Sequence, residues 1–512
     1  MTGIVIDDRE VTGARESTGA RPVDDRRVID GIIARLNSPG GLPAFQSQVR
    51  AVRGCQRPVR LSGRVIGLGE GGSLNVRFDT RNLPDGVLLK ACGSRRETVC
   101  RPCASLYRGD AFALVAAGLR GGKEVPETIG EHPAVLLTLT APSFGAVHRR
   151  RPDGSCHPWG SRCTHGRVLV CSQRHGTEDI ALGGALCPDC YDYEGAVLFN
   201  AGVSELWRRT TIYALRALGS LLGMSAREAA RQLRLSYVKV VEFQRRGSVH
   251  LHALVRADVR GEEHGEPPQG VDAGLVATAL QIAAKKVSAP IPGAMDGHRH
   301  AWGNQLDATV VAEAENGRSR AAAYLAKYAT KGTDEFGVLD HRLRTGVCSD
   351  QRLPDHLRTL VETAWALGDD EAFAGIRPQL WAHSCGFRGH FLTKSRRWST
   401  TFGALRDERQ QWRIANRAAQ RGEMPAGDDI PVDDPVDVTS DEVEVREWNY
   451  NGSGYLTAGD ACLAKNMEED LRLGRWLARE EAVVDSGLRI VRRERDDDAL
   501  NYRLPSPQGR VS

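Results

Sequence analysis

Apolar positions along this chain fall into short β-rich runs and longer alanine-rich stretches of helical period. Pro133–Thr140 (PAVLLTLT) is a compact apolar run with β-branched residues and predicts a strand. Ser236–Asp258 (SYVKVVEFQRRGSVHLHALVRAD) holds two such runs around Arg246-Gly247, which predicts strand, turn, strand. Asp307–Ala312 predicts another strand. Residues 203–234, Ala273–Lys286 and Ser319–Lys331 predict helices. Ser225 is placed as an N-cap with Glu228 as its capping-box partner, and Gly332 stands past the third helix as a stop signal. Leu353–Trp412 is mixed, a charged helix is expected near Ala458–Ala482, and no internal repeat is visible.

Composition changes this picture little. The chain has 512 residues, enough for two to four domains, with 41% hydrophobic and 26% charged residues. No apolar run is long enough to span a bilayer, so no membrane association is expected. The first residues carry neither an apolar core nor a cleavage signal, so a cytoplasmic location is expected. Net charge is +4, but acid is concentrated in Gly427–Glu444, which leaves the rest clearly basic. Basic clusters occur at Arg149-Arg150-Arg151, Arg208-Arg209, Arg245-Arg246 and Lys394-Ser395-Arg396-Arg397. Any one of them alone reads as a solvated surface. Arg388–Arg397 interleaves cations with Phe391 and reads equally as a single-strand surface or an exposed hairpin.

The predicted hairpin carries candidate chemistry. With its turn at Arg246, Glu242 lies opposite His250, and Glu242, Gln244, His250 and His252 share one face by strand parity. Two imidazoles and a carboxylate on one face suit an open site for Mn²⁺, Mg²⁺ or Zn²⁺. Glu242 is the preferred third ligand and Gln244 the second choice. A His-x-His strand alone reads more simply as a decorated surface.

On the helix Ser319–Lys331, Tyr324 and Tyr328 are one turn apart, and Lys327 and Lys331 repeat that spacing beside them. Taken alone this is a buried tyrosine pair with lysines reaching solvent. As chemistry it is a pair of nucleophiles, each needing a metal or cation for activation.

Twelve cysteines in a reducing compartment point to metal rather than disulfides. Cys100 and Cys103 have knuckle spacing, with Cys92 and Cys55 upstream, and these four are expected to hold one structural zinc. Cys187 and Cys190 repeat the spacing, with Cys163 and Cys171 as partners and His165, His175 and Cys156 as substitutes, for a second zinc. Cys348, Cys385 and Cys462 are assigned to packing.

The strand Leu136-Leu137-Thr138-Leu139-Thr140, the segment His250-Leu251-His252 and the helix YLAKYATK occur in the order of three motifs of the HUH endonuclease superfamily, which the chain resembles. The paired tyrosines resemble the two-tyrosine form of phage gene A proteins. The words FQRRGSVHLHAL, LCPDCYDYEGAVLFN, LWRRTT and GFRGHFLTKSRRWSTTFGALR resemble the replication initiators of actinomycete rolling-circle plasmids and integrative conjugative elements, from about Gly54 to Ala482.

The resemblance implies an α+β fold: an HUH domain with a central antiparallel sheet and flanking helices, zinc-binding insertions and a helical C-terminal region. It implies a nickase. With Mg²⁺ or Mn²⁺ held by His250, His252 and Glu242, Tyr324 or Tyr328, aided by Lys327 and Lys331, attacks the origin phosphate. The products are a 5′-phosphotyrosine link and a free 3′-hydroxyl. Implied partners are single-stranded and duplex origin DNA, a host helicase and a DNA polymerase, with Arg245, Arg246, Lys394, Arg396 and Arg397 as candidate DNA contacts. No P-loop occurs that would supply a built-in helicase.

The expected organisation is a disordered 1–27, a four-cysteine zinc region over 28–125, and the HUH domain over 126–335 with a zinc insertion at 145–193. A basic mixed region at 336–424, an acidic linker at 425–445, a helical region at 446–490 and a disordered tail at 491–512 follow. Rival readings are a conjugative relaxase or transposase of the same superfamily, a non-enzymatic zinc-ribbon DNA-binding protein and an RNA-binding zinc protein. Histidines preceding the tyrosines favour an initiator over a relaxase.

Overall fold

The computed structural model describes residues 25–38, 41–68, 73–261, 265–291, 299–312, 315–331, 343, 353–421 and 444–485. Most of the expected disordered N-terminus and acidic linker, all of the tail, Gly332 and Cys348 lie outside them. The chain forms two compact units, one from 1–90 with 432–512 and one from 91–431.

In the first unit the strand Val59–Leu68 is central, paired with Leu74–Asp79, Leu88–Lys90 and Glu444–Ser453. The last of these joins residues nearly 400 positions apart, as in the pair Arg64 and Glu447. It corrects the expectation of an all-helical region after 446: the run Glu444–Ser453 is a strand, and only Ala458–Asp485 is helix. Only Trp448 and Tyr450 alternate there with polar residues, too short a run to mark a strand without its partner. Residues 25–27 also depart from the expected disorder and open the helix Asp25–Asn37. Gly63 has φ 154°, and a Cβ there would meet the Glu447 carbonyl at 1.8 Å, so this crossing admits only glycine. Phe45, Val49 and Ala464 form the unit's small core.

The second unit is built on a five-stranded antiparallel sheet in the order Leu306–Val310, Ala134–Thr140, Val249–Val259, Leu233–Phe243, Leu392–Lys394. Alternation sends Leu137, Val241, Leu251 and Val255 to one face, where helices Tyr193–Leu221 and Ala273–Lys286 cover them. Val238, Val240 and Leu254 go to the other face, under helices Arg101–Arg120 and Glu315–Lys331. The three central strands are therefore buried on both sides and read as near-continuous apolar runs. This is the expected α+β architecture with a central antiparallel sheet and flanking helices.

Helix starts follow local chemistry. The carboxylates of Asp192 and Asp272 accept from the Gly195 and Leu275 amides. Ser225 and Glu228 form the predicted capping box. No helix among the described residues is long and apolar enough to cross a membrane.

Candidate active site and metal centres

The strands Leu233–Phe243 and Val249–Val259 join through a loop in which the Gln244 amide donates to Ser248 O and the Gly247 amide to Gln244 O, with Gly247 at φ 80°. Several side chains hold this turn. The buried Asn200 amide donates to Gly247 O at 2.8 Å and accepts from the Val249 amide at 2.9 Å. Arg246 points inward and donates to Ala141 O and Pro142 O, each at 2.9 Å. Tyr191 and His356 both reach Arg246 O. The register that results sets Glu242 opposite His250 and Val240 opposite His252, as the spacing requires.

On its other edge the histidine strand meets Ala134–Thr140, with Thr140 opposite His250 and Thr138 opposite His252. The threonine hydroxyls lie 3.3 Å and 3.2 Å from Nδ1 of the two rings. Gln244 Nε2 is also 3.3 Å from His250 Nδ1. Nδ1 of each ring is thus engaged within the sheet, and Nε2 is the atom left for other work. His252 Nε2 lies 3.3 Å from Glu242 Oε2. Burial, then the neighbouring His252 and Arg246, push His250 down to about 3, so at neutral pH it is an uncharged donor.

The helix Glu315–Lys331 lies over this face. Ala322, Leu325, Ala326 and Ala329 bury against the sheet. Arg318 anchors the helix by donating to Leu119 O and His132 O. The adjoining stripe brings Tyr324 and Tyr328 to His252, with ring centroids 5.4 Å and 4.7 Å away, and to each other at 4.7 Å. Lys327 Nζ stands 5.9 Å from the Tyr328 ring centroid. The side chain of Lys331 lies outside the described residues. Burial chiefly, with Tyr328, Glu242 and Asp307, raises Tyr324 well above the ordinary tyrosine range.

Asp307 is a further candidate residue on this face that the sequence reading missed. It pairs with Thr138 in register and so shares the face and row of His252. Its signal was parity on the strand already predicted there.

The donors His250, His252 and Glu242 suit a divalent ion in type. They converge less closely than the Cys/His groups described next, whose donor atoms all lie within 4.8 Å of one another.

Cys92, Cys100 and Cys103 bring their sulfurs within that distance, Cys92 and Cys103 at 3.7 Å. Cys55 is buried in the first unit, where its carbonyl accepts from the Tyr455 hydroxyl. Cys163, His165, Cys187 and Cys190 form a second group, with Cys163 and Cys187 sulfurs 3.8 Å apart and His165 Nδ1 3.0 Å from Cys190 Sγ. This corrects the expected ligand set: His165 stands where Cys171 was expected. A tight turn at Gly166, φ 77°, carries His165 to Cys190, whereas Cys171 is held on a strand paired with Ser155–His157. There it joins His148, Cys156 and His175.

The candidate DNA contacts are dispersed. Arg245 donates to Asp179 O, Arg246 to Ala141 O and Pro142 O, and Lys394 to Ser399 O at 2.8 Å. The Arg397 carbonyl accepts from Arg256, and Arg396 is exposed. Phe391 packs against the apolar core rather than offering a stacking face.

A family model described as "Replication initiator protein, pSAM2" matches residues 41–469. A curated replication initiator protein of Streptomyces ambofaciens is 38% identical over 467 residues, covering 89% of this chain and 96% of that protein. No solved structure matches. With similarity running through both compact units, the chain belongs to the family of replication initiator proteins typified by that of pSAM2.

Proposed function

We propose that this chain starts rolling-circle replication of a plasmid by cutting and rejoining one DNA strand at the origin. The observation that carries the reading is the contact of both tyrosine rings with His252, Tyr324 edge-on and Tyr328 tilted, beside Glu242. Nucleophiles and metal donors from elements far apart in sequence meet on one face, and family membership supplies the role. A divalent ion, Mn²⁺ or Mg²⁺, bound by His250, His252 and Glu242 would polarise the scissile phosphate and favour the tyrosinate.

The residues do the rest. One tyrosine oxygen forms a bond to phosphorus as the bond to the 3′ oxygen breaks. The phenol proton is lost to solvent, and the departing 3′ oxygen takes one up. A 5′-phosphotyrosine and a free 3′-hydroxyl remain, the latter a primer for a host polymerase behind a host helicase. The second tyrosine, one helical turn away, would attack the next junction. Lys327 lies beside the pair to offset phosphate charge.

The test is incubation with Mn²⁺ or Mg²⁺ and single-stranded origin oligonucleotides. A protein–DNA adduct that survives detergent is expected, and its persistence in the double variant Tyr324→Phe, Tyr328→Phe would sink the assignment. A second reading, a non-enzymatic zinc-ribbon DNA-binding protein, draws on the closer convergence of the Cys/His groups. It predicts origin binding with no adduct under any metal.

A further inference from the structure

The geometry points to a zinc site of two thiolates and two imidazoles at His148, Cys156, Cys171 and His175, and we propose that this ion fixes the turn that leads into His250. All four donor atoms lie within 4.8 Å of one another. Cys171 Sγ is 3.4 Å from His175 Nε2, and Cys156 Sγ is 3.7 Å from His148 Nδ1. Cys156, Cys171 and His175 are buried. Two sulfurs and two imidazole nitrogens select Zn²⁺ over the oxygen-seeking Mg²⁺ and Mn²⁺, and four protein donors close the shell, which marks a structural site.

A second shell is present. His175 Nδ1 is 2.7 Å from Asp179 Oδ2, on the far side of the ring from Nε2. That is the carboxylate–histidine arrangement which fixes a ligand ring and strengthens it as a donor.

The surrounding segment needs such a staple. Between residues 150 and 180 its regular structure is two short strands, Ser155–His157 and Cys171–Arg174. Trp159, Val168, Val170 and Ile180 are exposed rather than packed. Little apolar burial holds these loops, so metal ligation is the available source of order.

The site leads directly to the turn. Asp179, which buttresses His175, also accepts from Arg245 through its carbonyl at 3.3 Å. Nearby, a Cβ at Gly183 would lie 2.3 Å from the Arg245 carbonyl carbon, so the two backbones touch at a residue with φ 87°. The ligand His175, its carboxylate Asp179 and the turn Gln244–Ser248 form one connected path. The proposal does not depend on whether the chain cuts DNA.

The test uses the full chain purified with its metals. Cys156→Ser with Cys171→Ser is expected to lose one zinc equivalent by elemental analysis relative to the unaltered chain. Amide exchange at Gln244 and Gly247 should lose protection while strand Val249–Val259 keeps its own. An unchanged zinc content would overturn the site, and unchanged protection after zinc loss would overturn its control of the turn. Should that variant fail to fold, His175→Cys keeps four ligands. In the cobalt-substituted protein it is expected to gain one thiolate's worth of charge-transfer absorption, and an unchanged spectrum would overturn the assignment.

Discussion

Thr138 and His252 occupy one rung of the central sheet, and the threonine hydroxyl lies 3.2 Å from Nδ1 of the imidazole. Thr140 repeats the relationship with His250 at 3.3 Å. Leu137 and Leu139 of this strand face the core while Thr138 and Thr140 engage Nδ1 of the two rings, which leaves Nε2 of each for other work.

Replacing Thr138 by valine removes the hydroxyl and keeps the shape. Outer-shell partners of this kind are worth about 10–100-fold in metal affinity or activity. Thr138→Val is expected to raise the Mn²⁺ concentration needed for half-maximal adduct by that order, with DNA affinity unchanged. An unaltered metal titration would refute the orienting role.

Asp307→Asn separates the tyrosines. The carboxylate is one of the groups raising Tyr324, after burial, Tyr328 and Glu242. Removing it should move the pH profile of adduct formation downward if Tyr324 is the first nucleophile. A profile that stays in place in Asp307→Asn, yet is lost in Tyr328→Phe, would assign the first cut to Tyr328.

A buried ionic network lies on the same face of the sheet, beneath helix Arg101–Arg120. Arg256 is fully buried and donates to Asp258 at 2.6 Å and 3.1 Å, and also to the carbonyls of Gly118 and Arg397. Burial would raise the Asp258 carboxyl, but His132, Arg256 and Ser236 outweigh it and hold it far below the usual range. Arg256→Met leaves that charge buried with fewer partners and is expected to cost about 3–5 kcal/mol in urea melts. A loss under about 1 kcal/mol would show that the network is dispensable.

His300 gives stability a pH dependence. Its Nε2 has no hydrogen-bond partner among the described residues, and burial lowers its pKa to about 4. Between pH 6.5 and about 4 the unfolded chain takes up a proton that the folded chain refuses, so stability falls as pH drops through that window. The effect is on the order of 3 kcal/mol, complete below the folded pKa and absent above the unfolded one. His300→Leu should make the slope of melting temperature against pH shallower there. An identical slope would place the proton uptake elsewhere.

In the first unit, buried Arg35 donates to Asp460 at 2.8 Å and 3.0 Å and to Asp85 at 2.6 Å. Arg35→Leu is expected to destabilise that unit by about 3–5 kcal/mol through the stranded Asp460. A chain ending at residue 431 should lose protease resistance in 25–90, because strand Glu444–Ser453 and Asp460 are gone. Retained resistance would disprove the discontinuous unit.

Local periodicity was enough to place the strand before Thr140, the hairpin, the capping box at Ser225 and the tyrosine helix, because each is set by near neighbours. It also put Glu242 opposite His250, since a tight turn leaves only one register. What it missed involves distance. Cys171 was grouped with Cys163 by proximity in sequence, but strand pairing with Ser155–His157 carried it to His148, Cys156 and His175. The strand Glu444–Ser453 was invisible because its partner, Val59–Leu68, lies at the other end of the chain. The basic dipeptide Arg245-Arg246 read as surface, yet Arg246 is drawn inward by carbonyls of a different strand's end. Sequence alone determined which elements form and which chemical groups they carry. Only the tertiary structure decided which groups meet, because sheet register and loop closure join residues whose separation leaves no periodic trace.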